Sequence, residues 1–428
     1  MLSIFNWQQL SLNERQRRLT RVNQQSASKQ AVQTIIATVK DQGDQALVQY
    51  SRQFDGVDLQ TLSVSAEQIA TANVSASALS AIKSAIETIT MFQTSTMPQA
   101  MRINTAKGVC IDRVYRPINT VGLYVPGGNN TPLVSSVIMQ AIPALVAGCP
   151  QRVLCTPANA RGEINPGVLV AARLCKIETI YPIGGAQAIA AMAYGTESVK
   201  KVDKIFGPGN AWVTEAKTQV SIDSEGAAID MPAGPSEVLI IADDQANPAF
   251  VAADLLAQAE HGTDSHVVLL CESYAFAETV NGAIAQQIQT LTREKIINQS
   301  LQHGSIILCS SRAEMIAIVN DYAPEHLIIN RIDAADWVDA IDNAGTIFLG
   351  PFAAETMGDY VTGSNHVLPT NGYARNHSGL STRDFLKSMS VQSITQEGIE
   401  TLGDAACTLA MMEGLDAHAN AVKIRRIL

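Results

Sequence analysis

Histidine is absent from the first 260 residues of this 428-residue chain; all seven lie between His261 and His418. Imidazole and carboxylate side chains bind metals and move protons near neutral pH. That absence assigns the chemistry to the last two-fifths and leaves the front as scaffold and ligand cradle. Also missing is any extended run of lysine or arginine, and the formal charge is −10. Such a surface does not draw nucleic acid or an anionic membrane by charge. The opening residues 1–7 lack the basic start and apolar core of a signal peptide. The longest apolar run, 133–149, contains Gln140 and Pro143 and falls short of a membrane span. The seven cysteines (Cys110, Cys149, Cys155, Cys175, Cys271, Cys309, Cys407) show no C-x-x-C pairing. They read as buried thiols in a reducing cytoplasm. There is no internal repeat and no low-complexity segment.

What is present is organised by texture. The first hundred residues read as helical and amphipathic. Ser65-Ala66-Glu67-Gln68 has capping-box spacing and opens an alanine-rich helical stretch that fades near Met97. From about Asn119, short β-rich runs alternate with helical ones: 120–125, 152–155, 178–183, 204–206, 238–242, 267–270, 306–308, 327–329 and 346–349. This alternation predicts an α/β class with two parallel sheets flanked by helices. The stretch after about Ser381 reads as helical, without strands, and suits an appendage on another part or another subunit.

Three glycine turns punctuate the middle: Y-V-P-G-G (124–128), G-G-A-Q-A-I-A-A (184–191) and F-G-P-G-N-A (206–211). In the second, a strand ends in paired glycines and a helix begins, exposing N–H groups and a positive helix end to an anion such as a pyrophosphate. No G-x-G-x-x-G follows a strand, and the same glycines also suit tight turns with positive φ.

The histidines fall in polar phrases: Q-A-E-H-G (258–262), P-E-H-L (324–327), G-D-Y-V-T-G-S-N-H (358–366) and E-G-L-D-A-H (413–418). Gln258 and His261 are i, i+3 near a helix end and share a face. Together with Asp359 and His418 they make a donor set that suits a borderline divalent ion such as Zn²⁺. No H-E-x-x-H is present. His261 equally suits a helix C-terminus and His418 an interface. Glu325 and His326 precede an apolar strand, where they supply two bases of different strength or a histidine that merely caps a strand. His266, His303 and His377 lack such context.

These phrases, with I-D-M-P-A-G-P-S-E (229–237), G-D-Y-x-x-G-x-N-H-V-L-P-T and L-D-A-H-x-N-A, together resemble the histidinol dehydrogenase family from about Lys29 to Arg425. The resemblance implies two incomplete Rossmann-like parallel-sheet domains with helical N-terminal and C-terminal extensions. The expected division is an arm at 1–24, a discontinuous zinc/catalytic domain at 25–123 and 237–380, an NAD-binding domain at 124–236, and a dimerisation segment at 381–428. It implies a cytoplasmic, zinc-containing, NAD-dependent four-electron oxidation of L-histidinol through L-histidinaldehyde to L-histidine, the last step of histidine biosynthesis. One Zn²⁺ per subunit would be held by Gln258, His261, Asp359 and His418, with Glu325 and His326 as the acid/base pair. Ser236, His366 and Glu413 join the zinc ligands and His326 as substrate contacts, and Tyr124, Gln187 and Asn210 resemble NAD contacts. The family dimer is intertwined, its C-terminal segments completing the neighbour's site. The loop after Gly128, Ser364 and Cys175 depart from the family pattern. Other readings are a cysteine-dependent aldehyde dehydrogenase using Cys149 or Cys155, a zinc hydrolase, and a metal- or imidazole-binding module without catalysis.

Overall fold

The computed structural model describes residues 1–21, 28–127, 133–231 and 234–426. Gly128 with the loop after it, Pro232-Ala233 within the 229–237 phrase, and the boundary between residues 24 and 25 lie outside the described residues.

Among the described residues the strands form two parallel sheets and one antiparallel sheet. The six-stranded sheet runs in the order Ser3–Asn6, Ser305–Leu308, His266–Cys271, Glu237–Ala242, His326–Asn330, Thr346–Leu349. Three of its four inner strands, those beginning at His266, Glu237 and His326, are buried along their whole length. Parallel strands covered on both faces must be apolar throughout, which is why these segments read as unbroken runs. The five-stranded sheet runs Thr179–Tyr181, Gln151–Cys155, Thr120–Tyr124, Lys204–Phe206, Ala228–Ile229. The α/β class with two parallel sheets holds, and each β-rich run overlaps a strand. The apolar run 133–149 forms the buried helix Val134–Ala147 with Pro143 inside it. Among the described residues no helix is long and apolar enough to cross a membrane.

Several expectations need correction. The N-terminal stretch begins with the edge strand Ser3–Asn6, parallel to Ser305–Leu308, before the helix Leu12–Leu19. Four residues are too few to show a period, and the strand is fixed from afar: the Asn281 side chain bonds both the N–H and the C=O of Leu2. The alanine-rich stretch is two helices, Ala66–Thr71 and Ala76–Ser95, because Ser75 caps a second N-terminus. The Ser65 capping box is present, with Ser65 and Gln68 bonding reciprocally.

The segment after Ser381 does contain a strand. Leu386–Ile394 pairs antiparallel with Val109–Pro117 over nine residues, and Met101–Ala106 completes that sheet. Nearly all of Leu386–Ile394 is exposed, so no apolar alternation marks it, and pairing with a distant partner sets it. The helices Lys29–Gln42 and Asp44–Tyr50 share a core with Gly185–Tyr194 and Ala211–Ile222. Ala76–Ser95 packs with Val134–Ala147. Residues 29–95 thus pack over the five-stranded sheet. The stripe Val32, Ile35, Ile36 and Val39 recurs at helical spacing and finds its cover there.

Candidate active site

The chain crosses from Ala228–Ile229 to Glu237–Ala242, linking the C-terminal edge of the five-stranded sheet to the N-terminal edge of the six-stranded one. A cavity of about 320 Å³ lies at this crossing. Gly207 and Asn210, which follow a strand of the first sheet, line it from one side; Ser236 and Glu325, which precede strands of the second, line it from the other. The Gly207 turn is built for the place. Its φ is +116°, and a Cβ there would collide with the Tyr124 carbonyl and crowd the Gln140 amide. Buried Lys217 donates to the Gly207 carbonyl at 2.8 Å and pairs with Asp230, which accepts from the Gly207 N–H at 2.8 Å.

Glu325 and His326 both face this cavity. The turn that delivers them has Ala323 in the left-handed region, φ +51°, ending the helix Arg312–Tyr322 before Pro324. His326 Nδ1 lies 3.7 Å from Glu325 and 3.7 Å from Glu355, and its Nε2 lies 3.4 Å from Asp359. Burial pushes the Glu325 pKa up to about 8 despite the imidazole beside it. Burial works against charge on His326, but Glu355, Glu325 and Asp359 outweigh it and push its pKa up to about 10. Two bases of unlike strength therefore stand side by side.

Gln258 and His261 come from the end of the helix Pro248–Ala259, which Asn247 caps and Pro248 starts. Asp359 comes from the helix Glu355–Tyr360. Donor atoms of His261, Glu355 and Asp359 lie within 4.8 Å of one another. Burial raises the Glu355 pKa; for Asp359 burial acts in the same sense but the bond to His326 overrides it and holds the pKa down. Burial lowers the pKa of His366, leaving a neutral imidazole of the kind that binds metals. The buried Nε2 of His366 has no hydrogen-bond partner among the described residues. The amide of wholly buried Gln258 lies between the Glu355 carboxylate and the Glu237 N–H. Turned one way it donates to Glu355 and accepts from Glu237 at 3.2 Å. Turned the other way its oxygen meets only acceptors, an arrangement that a cation between them stabilises. Amide oxygen, imidazole and clustered carboxylates in a confined site fit a divalent ion.

The structure thus brings Ser236, Gln258, His261, Glu325, His326, Asp359, His366 and Asn210 to one cavity. Tyr124 and Gln187 are not in its lining; both are buried at the Gly184-Gly185 turn. The Tyr124 hydroxyl accepts from the Gly185 N–H at 3.0 Å, and the Gln187 amide nitrogen has no partner among the described residues. Glu413 and His418 do not line the cavity of the single chain; both are exposed in the C-terminal segment. Sequence reasoning missed Glu355. Its signal was available, since Glu355 and Asp359 are i, i+4 and share a helix face. Cys149 and Cys155 lie outside the cavity lining. Burial pushes the Cys149 thiol up to about 11 and Cys155 higher still, which disarms both as nucleophiles.

The family model described as histidinol dehydrogenase matches residues 18–426. The histidinol dehydrogenase of Legionella pneumophila (strain Paris) is 62% identical over 425 residues, covering 99% of each chain. That of Vibrio cholerae is 48% identical over 423 residues, covering 98% of this chain and 97% of the relative. The crystal structure of histidinol dehydrogenase from Elizabethkingia anophelis superposes with a TM-score of 0.95 at 43% identity, covering 99% of this chain and 98% of that one.

Proposed function

The chain belongs to the histidinol dehydrogenase family of oxidoreductases, and on that premise we propose that it performs a zinc- and NAD-dependent four-electron oxidation. L-Histidinol is taken through L-histidinaldehyde to L-histidine, in the cytoplasm, as the last step of histidine biosynthesis. The observation that carries this reading is the Glu325–His326 pair, with His326 Nε2 3.4 Å from Asp359, in the cavity that Gln258 and His261 also line.

Gln258, His261 and Asp359 would hold one zinc ion per subunit together with His418 of the partner subunit. Zinc, when bound, would offset the carboxylate field around His326 and hold the substrate's imidazole and amino nitrogens as an orienting template. NAD, cradled within residues 124–236 by Tyr124, Gln187 and Asn210, would supply the hydride acceptor for both halves.

His326 takes the alcohol proton through Nε2 as the carbinol hydride departs. Glu325 then draws a proton from water, that water adds to the aldehyde carbon, and His326 returns its proton to the carbonyl oxygen to give the hydrate. His326 takes the hydrate proton as the second hydride departs, leaving the carboxylate. Ser236, His366 and the partner subunit's Glu413 hold the substrate so that the aldehyde is kept in the cavity. The copies form an intertwined dimer. The helix Gln396–Met412 and the turn after it expose Leu402, Leu409, Met411, Met412 and Leu415 to water in the single chain, which supports a second copy there.

Metal titration tests the reading directly. Chelation abolishes histidinol oxidation, and activity returns as zinc approaches one ion per subunit. Full activity in chelated protein proven free of metal would refute the zinc assignment.

A further inference from the structure

Glu237 starts the strand Glu237–Ala242 with a side chain wholly shut from solvent, and it has no part in the proposed chemistry. Three groups hold its carboxylate. Arg21 grips it as a fork, Nε to Oε2 at 2.6 Å and Nη2 to Oε1 at 2.9 Å. The Tyr322 hydroxyl donates to Oε2 at 3.4 Å, and the Glu325 backbone N–H donates to Oε1 at 3.2 Å. The main chain of the same residue reaches both members of the pair. Its N–H donates to the Glu325 carboxylate at 2.9 Å, and its carbonyl accepts from His326 Nδ1 at 3.2 Å.

Arg21 is itself fixed. It donates to the Tyr322 carbonyl at 2.7 Å, and its guanidinium carbon lies 3.7 Å from the centre of the Tyr322 ring. The Tyr322 hydroxyl in turn lies 2.7 Å from Nδ1 of buried His266. A buried fork of this kind adds geometric definition more than net stability. A proton on His326 Nδ1 bonded to a fixed carbonyl leaves Nε2 as the atom turned toward Asp359 and the substrate.

We propose that Glu237, held by Arg21 and Tyr322, is the positioning residue of the site: it sets the Glu325 carboxylate and the His326 tautomer. An arginine of the N-terminal segment then governs the chemistry without touching substrate. The proposal rests on the acid–base reading of Glu325 and His326.

The test compares zinc-loaded wild type with the double variant Arg21→Met, Glu237→Leu, and with Arg21→Lys. The double variant removes both charges together and so avoids leaving either one buried and alone. Calorimetric titration with L-histidinol counts intact sites, and kcat per intact site is measured separately with L-histidinol and L-histidinaldehyde. The double variant is expected to bind histidinol with KM within about threefold of wild type, while kcat per site falls about 10- to 100-fold for both substrates. Arg21→Lys keeps the charge but loses the fork, and falls between the two. If wild type yields no NADH from histidinol, the acid–base reading fails and the proposal with it. If wild type turns over, the positioning role is overturned by wild-type kcat per site in the double variant, even where the number of sites has fallen. Should the double variant not fold, Arg21→Lys decides alone: lowered kcat per site supports the role, and wild-type kcat overturns it.

Discussion

At Glu325, burial raises the carboxyl pKa to about 8, close to the range in which a general base both holds and releases a proton. Its amide isostere keeps the shape and loses the base. Glu325→Gln is therefore expected to spare oxidation of histidinol to the aldehyde and to slow aldehyde oxidation about 100-fold or more. NADH formation from each substrate, supplied separately, checks this; equal losses in both halves would sink the division of labour. Asp254 offers a pH test that does not involve catalysis. It lies on the helix Pro248–Ala259, and burial raises its pKa from 3.8 to about 7. The folded-state value lies above the unfolded one, so the folded state binds more protons between them. Stability is thus full at low pH and falls as pH rises from about 4 to about 7. Asp254→Asn removes that penalty. In metal-free protein it is expected to be more stable than wild type at pH 8 by on the order of a few kcal/mol, with the gap closing toward pH 4. Urea midpoints at both pH values measure it, and a gap independent of pH would contradict the assignment. These residue-level features were only partly legible. Glu325 and His326 announce themselves as a polar pair before an apolar strand, but nothing local says that Glu237, 88 positions earlier, bonds both.

The turns and strands explain how such a pair is held. Gly207 and Gly148 both have positive φ, +116° and +82°, yet they differ in surroundings. A Cβ at Gly148 meets nothing within 4 Å, whereas one at Gly207 runs into the Tyr124 carbonyl. Gly148→Ala should cost only backbone strain, about 1 kcal/mol, while Gly207→Ala should cost about 3 kcal/mol. Denaturant midpoints of the two variants compare them, and equal losses would mean that the close approach does not matter. Sequence texture made the turn and the buried parallel strands readable, because both need particular residues: glycine at one, continuous apolar side chains in the other. It did not reveal Leu386–Ile394. That strand is exposed nearly throughout and takes its conformation from pairing with Val109–Pro117. The break between Ala66–Thr71 and Ala76–Ser95 was marked only by Asn73-Val74-Ser75, a short signal in an alanine-rich stretch.

For the whole molecule, the candidate site is a meeting of two sheet edges, and its residues are drawn from positions 210 to 366 of one chain. Spacing alone joins Gln258 to His261 and Glu325 to His326; only the fold brings those pairs to Asp359 and His366. Glu413 and His418 remain outside the single-chain cavity, and their place in the site follows from family resemblance and the proposed dimer. Mixing tests that part. If subunits exchange after denaturation and refolding together, inactive His326→Ala and His418→Ala chains should recover activity, about a quarter of wild-type sites from equal amounts. No recovery in proven mixed dimers would place His418 in its own subunit's site. The central claim, a four-electron oxidation in one cavity, is tested most directly by counting NADH formed per L-histidinol consumed, with zinc-loaded protein and excess NAD. The account predicts two NADH per histidinol, with L-histidine as the product and no free aldehyde trapped by a carbonyl reagent. One NADH per histidinol, with aldehyde released, would contradict it.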